Sequence, residues 1–155
     1  PTSNIKELIN QKADRVEIGL AIKDWITRST KTNKTDIYLF FAGHGLASDN
    51  GKDMYLLPYD GSPRLLESAI RRKQLFKDIQ QANPSSVTVF LDTCYSGTTR
   101  GTDMLLASRP IAIRTLEQSI PDNFTVMTAA AGDETAKALE DAKHGMSSYF
   151  LMKGM

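Results

Sequence analysis

Two strongly apolar runs of strand length constrain this chain more than anything else in it. Ile37-Tyr38-Leu39-Phe40-Phe41-Ala42 and Val87-Thr88-Val89-Phe90-Leu91 are rich in branched and aromatic residues, as expected of strands buried on both faces of a sheet. A third run, Phe124 to Ala129, has the same character. Helical patterns fall between and before them. Ile18, Ala21, Ile22, Trp25 and Ile26 share one face of a helix predicted over Glu17 to Ser29, and Leu75, Phe76 and Ile79 do so over Arg71 to Gln81. Strands alternating with helices predict an α/β fold with a largely parallel sheet, helices on both faces and right-handed crossovers. The functional crevice of such a sheet lies at the carboxyl ends of its strands.

Lesser signals fill in the chain. Asn4 followed by Glu7 reads as a capping box for a first helix to about Lys12, with Ile5, Leu8 and Ile9 at helical spacing. Asn50-Gly51 is the strongest turn signal, and Met54 to Leu57 reads as a short strand folding back before Pro58. Asn83-Pro84 ends the Arg71–Gln81 helix. A last helix is expected over Ser147 to Lys153. The stretch from Thr98 to Asn123 has no clear period, and loops of that length in compact domains tend to be functional or mobile.

Both leading strands run into a reactive side chain. Ala42-Gly43-His44-Gly45 follows the first, and Asp92-Thr93-Cys94-Tyr95-Ser96-Gly97 follows the second. A lone thiol and an imidazole, each at a strand end, have the form of a cysteine nucleophile with a histidine base, and the two side chains meet if their strands are neighbours. A nearby imidazolium or helix amino terminus would lower the thiol pKa. Backbone N–H groups of Gly45 and Cys94 are candidates for an oxyanion hole. Taken alone, a single cysteine in apolar surroundings is more often a small buried hydrophobe. The Gly-His-Gly setting and the parallel placement of the two residues reverse that preference. Asp92, two positions before Cys94, could hold a cationic substrate side chain or bond nearby turn amides; its chemistry alone leaves both open. His144 reads as a surface or capping residue. One Cys and two His at no recognised spacing do not make a metal site.

Bulk properties exclude other classes. The chain of 155 residues is sized for one domain. A net charge of +1, from 19 basic and 18 acidic residues, lacks the basic footprint of a nucleic-acid binder. No apolar run is long enough to span a membrane as a helix. A single cysteine rules out an internal disulfide and fits a reducing, cytoplasmic setting. No signal peptide is visible, yet the sequence opens on Pro1 without a methionine, as a processed chain or a fragment would.

The motifs Phe41-Ala42-Gly43-His44-Gly45 and Asp92-Thr93-Cys94-Tyr95-Ser96-Gly97 resemble the paired histidine and cysteine motifs of caspase-like peptidases, most closely those of metacaspases and bacterial caspase-like proteins. Thr128-Ala129-Ala130-Ala131-Gly132-Asp133-Glu134-Thr135-Ala136, with Gly145 to Phe150, is similar to the family's next strand, loop and helix. The likeness spans roughly Asn4 to Met155. It implies a three-layer caspase-like fold with a mostly parallel sheet, and a Cys-His dyad endopeptidase. In that likeness His44 maps to the family histidine, Cys94 to the nucleophile and the Gly45 amide to an oxyanion donor. Asp92 falls where metacaspases carry a primary-pocket aspartate, which implies cleavage after Arg or Lys. Arg100, Arg109, Arg114 and Lys143 then become potential self-cleavage sites.

The chain also departs from the family pattern. Ala42 stands where metacaspases often have serine, and Tyr95 where they usually have histidine. The family's first strand would precede Asn4 and its final strands would follow Met155. Residues 1–155 therefore read as a single catalytic domain lacking those strands, either a fragment or a chain whose sheet a second chain completes. Protein or peptide substrates are the expected partners, with neither nucleic acid nor membrane. No cofactor is expected. Calcium activation, familiar among metacaspases, is not legible, because no acidic cluster has calcium-loop spacing. The alternative function is a catalytically silent caspase-like interaction module.

Overall fold

The computed structural model describes residues 2–48, 50–97, 120–128, 138–139 and 144–145. Its centre is a pair of long parallel strands, β1 (Asp36–Ala47) and β4 (Ser86–Gly97). They stay in register over their whole length, from Asp36 opposite Ser86 to Ala47 opposite Gly97. β5 (Phe124–Thr128) continues the parallel arrangement on the far side of β4. On the other side, β2 (Met54–Leu56) folds back antiparallel onto the end of β1, and β3 (Ile70–Arg71) pairs antiparallel with β2. The order is β3-β2-β1-β4-β5. The described sheet is therefore mixed: β2 alone opposes the three long strands, and β3 beyond it runs in their direction again. β6 (Ala138–Leu139) and β7 (His144–Gly145) form a separate antiparallel pair.

Local chemistry sets the helix limits. The helix over residues 15–29 (α1) begins where the Asp14 carboxylate accepts a hydrogen bond from the Glu17 N–H at 2.8 Å, a cap for an otherwise unpaired donor. It widens to π-type hydrogen bonding over Ala21–Ile26 before closing as an α-helix. α2 (Arg72–Gln80) is followed by Asn83 in the left-handed region, at φ 52°, and then by Pro84, which together stop it. Arg71 donates to Asp53 at 2.6 Å and ties β3 to the turn between β1 and β2.

Both helices lie on one face of the sheet. Ile22 and Ile26 of α1, and Leu75, Phe76 and Ile79 of α2, form one core with Val87, Val89 and Leu91 of β4 and Phe124 of β5. The β4 residues recur at every second position, as strand geometry requires, and the helix residues at spacings of three and four. Phe76 and Phe124 meet with ring centroids 5.3 Å apart, and Lys23 pairs with Asp78 at 3.5 Å across the two helices. Ile79 is fully buried. Its replacement by alanine is expected to cost about 2–5 kcal/mol of stability, read as a lowered urea midpoint with an unchanged slope.

Three expectations are corrected. The segment Asn4–Lys12 is not a helix: short 3₁₀ turns occupy Thr2–Asn4 and Asn10–Lys12, with irregular chain between them. Ile5 is 73% exposed and so has no core to face, while Asn10 takes a left-handed φ of 51° that breaks helical progress. The first strand is not buried on both faces either. Ile37, Leu39 and Phe41 turn toward the helices, whereas Tyr38 and Phe40 are 74% and 54% exposed. Finally, both long strands outrun their apolar stretches, so residues read as turns remain in the sheet. The helix expected over Ser147–Lys153 and most of the Thr98–Asn123 stretch lie outside the described residues.

Candidate active site

The parallel ladder sets His44 opposite Cys94. The two residues that end the apolar runs in sequence are thus direct neighbours on adjacent strands. Asp92 sits opposite Ala42, one step of the same-side period back along each strand. Positions 42, 44 and 92 therefore share one side of the pleat, away from α1 and α2.

The backbone of His44 is held where β1 gains its second neighbour. Its carbonyl accepts from the Leu57 N–H at 2.9 Å, and Gly45, Leu46 and Ala47 pair with Leu56, Tyr55 and Met54. The turn that follows is closed by the Ser48 N–H donating to Asp53 O and the Gly51 N–H donating to Ser48 O. Gly51 takes a φ of 68° there, which explains the strength of the Asn-Gly signal. The histidine side chain is exposed, and Gly45 behind it is buried. Asp92 is half-buried.

Gly43 has a packing role that the sequence did not disclose. A Cβ placed there would lie 3.1 Å from Cε1 and Cζ of Phe41. Residues 41 and 43 share a side of the strand, and the phenyl ring leans along it over the glycine. The absent side chain before His44 thus admits the Phe41 ring.

Thr93 is a residue that motif reading passed over. It lies between Asp92 and Cys94, faces the helix side and is buried. The signal was available, since Val87, Val89 and Leu91 extend by the same period to position 93. The expected self-cleavage residues Arg100, Arg109, Arg114 and Lys143 lie outside the described residues. His144 is found opposite Leu139 in the β6–β7 pair.

A groove on the helix side is lined by Arg15, Ile22, Tyr55, Ile70, Arg71 and Leu75 among others, and by none of His44, Asp92 or Cys94. Its cations are already engaged. Arg15 donates to the carbonyls of Glu67 and Ala69, Lys23 pairs with Asp78, and Arg71 pairs with Asp53.

A family model for the caspase domain matches residues 6–155 of the chain. The chain belongs to the caspase-domain family. Membership supports cysteine-type peptidase activity, a hydrolytic chemistry, and an α/β fold of the caspase-like kind. The match includes the segments that carry His44, Asp92 and Cys94. No curated protein matches the chain. Among the described residues, no helix of this caspase-family domain is long and apolar enough to cross a membrane.

Proposed function

We propose that this domain is a cysteine endopeptidase that uses Cys94 as nucleophile and His44 as general base and acid. The observation that carries the reading is the register pairing of His44 with Cys94. In the proposed reaction the Cys94 sulfur attacks the scissile carbonyl as its proton passes to the imidazole. The carbonyl oxygen takes up the negative charge, which the backbone N–H groups of Gly45 and Cys94 stabilise. Collapse breaks the C–N bond, and the imidazolium returns the proton to the leaving amine. Water, deprotonated by the same histidine, then hydrolyses the thioester and regenerates the thiol.

Asp92 is assigned to the primary specificity pocket. Its position shares the side of the pleat with His44, two residues along the strand from the nucleophile, where a carboxylate would attract the cationic end of an Arg or Lys side chain. The substrate class is accordingly a protein or peptide cleaved after a basic residue, as in metacaspases. The test is cleavage of matched fluorogenic peptides ending in Arg, Lys or Asp, with and without calcium. Turnover after Arg and Lys supports the reading. Turnover only after Asp keeps the peptidase and removes the pocket assignment. Silence on all peptides favours the interaction module.

Basic specificity makes the domain a potential substrate of itself. We expect intact-mass spectrometry of the incubated protein to find cuts after one or more of Arg100, Arg109, Arg114 and Lys143, absent from a Cys94→Ala protein. Masses that stay whole in the active protein would remove self-processing.

A further inference from the structure

Strand β4 feeds one side of its pleat into the helix-side core. Val87, Val89 and Leu91 fill that row, and Thr93 continues it at 3% exposed. Among the described residues the Thr93 Oγ1 has no hydrogen-bond partner. Among the described residues one other buried side-chain atom shares that condition, Gln80 Oε1, at the last residue of α2. A buried hydroxyl without a partner lowers stability and calls for an explanation. Valine would keep the branched shape and the strand preference with no polar atom to leave unpaired. Packing alone therefore gives no reason for threonine at this position.

Its place in the sheet gives one. Thr93 is bonded directly to Cys94, and its ladder partner Gly43 is bonded directly to His44. The Thr93–Gly43 pair thus sits immediately behind the dyad pair, on the side of the pleat opposite His44. Gly43 offers no side chain, and the Phe41 ring lies over it. A change in the hydrogen bonding of Thr93 would act on the backbone that presents the nucleophile.

We propose that Thr93 is a positioning residue for the dyad, whose hydroxyl is unpaired in the resting enzyme and gains a hydrogen-bond acceptor as Cys94 attacks. The inference rests on the peptidase reading. An interaction made in the transition state and missing beforehand raises kcat and leaves KM nearly unchanged. Thr93 touches no substrate in this scheme; it acts through the backbone at residues 93–94.

The experiment compares Thr93→Val and Thr93→Ser with the parent by thermal melting and by steady-state cleavage of an Arg-ending fluorogenic peptide. The valine protein is expected to melt at or above the parent, with kcat lowered about tenfold and KM within about twofold. The serine protein, which keeps the hydroxyl, is expected to retain at least roughly half of the parent kcat. A valine protein with kcat within about twofold of the parent overturns the proposal, as does one that melts well below it. A serine protein as slow as the valine protein also overturns it. If the parent cleaves no peptide, the peptidase reading fails and the role of Thr93 with it. A cleaving parent with an unaffected valine protein removes the role of Thr93 alone.

Discussion

Cys94→Ala is expected to lower kcat for peptide cleavage by roughly 10⁴-fold or more, because no other thiol can replace the nucleophile. The chain contains one cysteine, so the variant leaves no alternative sulfur. His44→Ala should fall nearly as far, and the double variant no further than the worse of the two. Residues that act as one unit are strongly non-additive, since a nucleophile without its base is almost as inert as a base without its nucleophile. Steady-state kinetics of the three proteins on one Arg-ending peptide make the test. A double variant much slower than either single one would mean that the two residues act independently. The same lone cysteine permits a check without turnover: one equivalent of iodoacetamide per chain should abolish cleavage, and His44→Ala should slow that alkylation at neutral pH. Ile37–Phe41 and Val87–Leu91 are set by packing upstream of both residues, so neither alanine variant should move the thermal transition by more than about 0.5 kcal/mol in stability.

How much of this was legible beforehand depended on the range of the interaction. Period and composition located α1, α2 and the three long strands, because Ile22, Ile26, Leu75, Phe76, Ile79, Val87 and Val89 each repeat at the spacing that their element imposes. The His44–Cys94 pairing was legible because each residue lies at a similar offset beyond its apolar run; the ladder turned that likeness into adjacency. Ile5 and Ile9 misled, since helical spacing shows where an apolar face would lie and does not supply a surface for it to bury against. Tyr38 and Phe40 misled in the opposite direction: an unbroken apolar run resembles a two-sided strand, while here only the odd positions meet the helices. β3, only two residues long, was invisible because Ile70-Arg71 is too short to show a period, and its pairing with Leu56 and Tyr55 is purely tertiary. The continuation of both strands through Gly43, Gly45 and Gly97 was masked by glycines that read as turns. A ladder of twelve paired positions kept those glycines in line.

Asp92→Asn is expected to lower kcat/KM for an Arg-ending peptide by about 10²-fold, with a smaller loss for a neutral residue at that position. Asparagine keeps the shape and one acceptor oxygen, so the change removes charge with little loss of packing. The side chain is half-buried, where a carboxylate is less screened than at an open surface and a desolvated cation depends on its counter-charge. Two strand positions place the residue about 6.6 Å along β4 from Cys94, far enough to bind a substrate side chain without entering the proton transfer. The loss should therefore rank substrates and leave the chemistry intact: the pH dependence of kcat for a neutral peptide should match the parent, and the ratio of Arg to neutral cleavage should collapse. An Asp92→Asn protein that loses equal activity on all peptides would show that the carboxylate supports the strand end instead, through nearby backbone amides. An unchanged Arg preference would move the specificity anion to another acid. Asp92→Glu extends the same test, since a carboxylate displaced by one methylene should restore attraction without restoring fit and should favour Lys relative to Arg, the ammonium being a point charge and the guanidinium a planar fork.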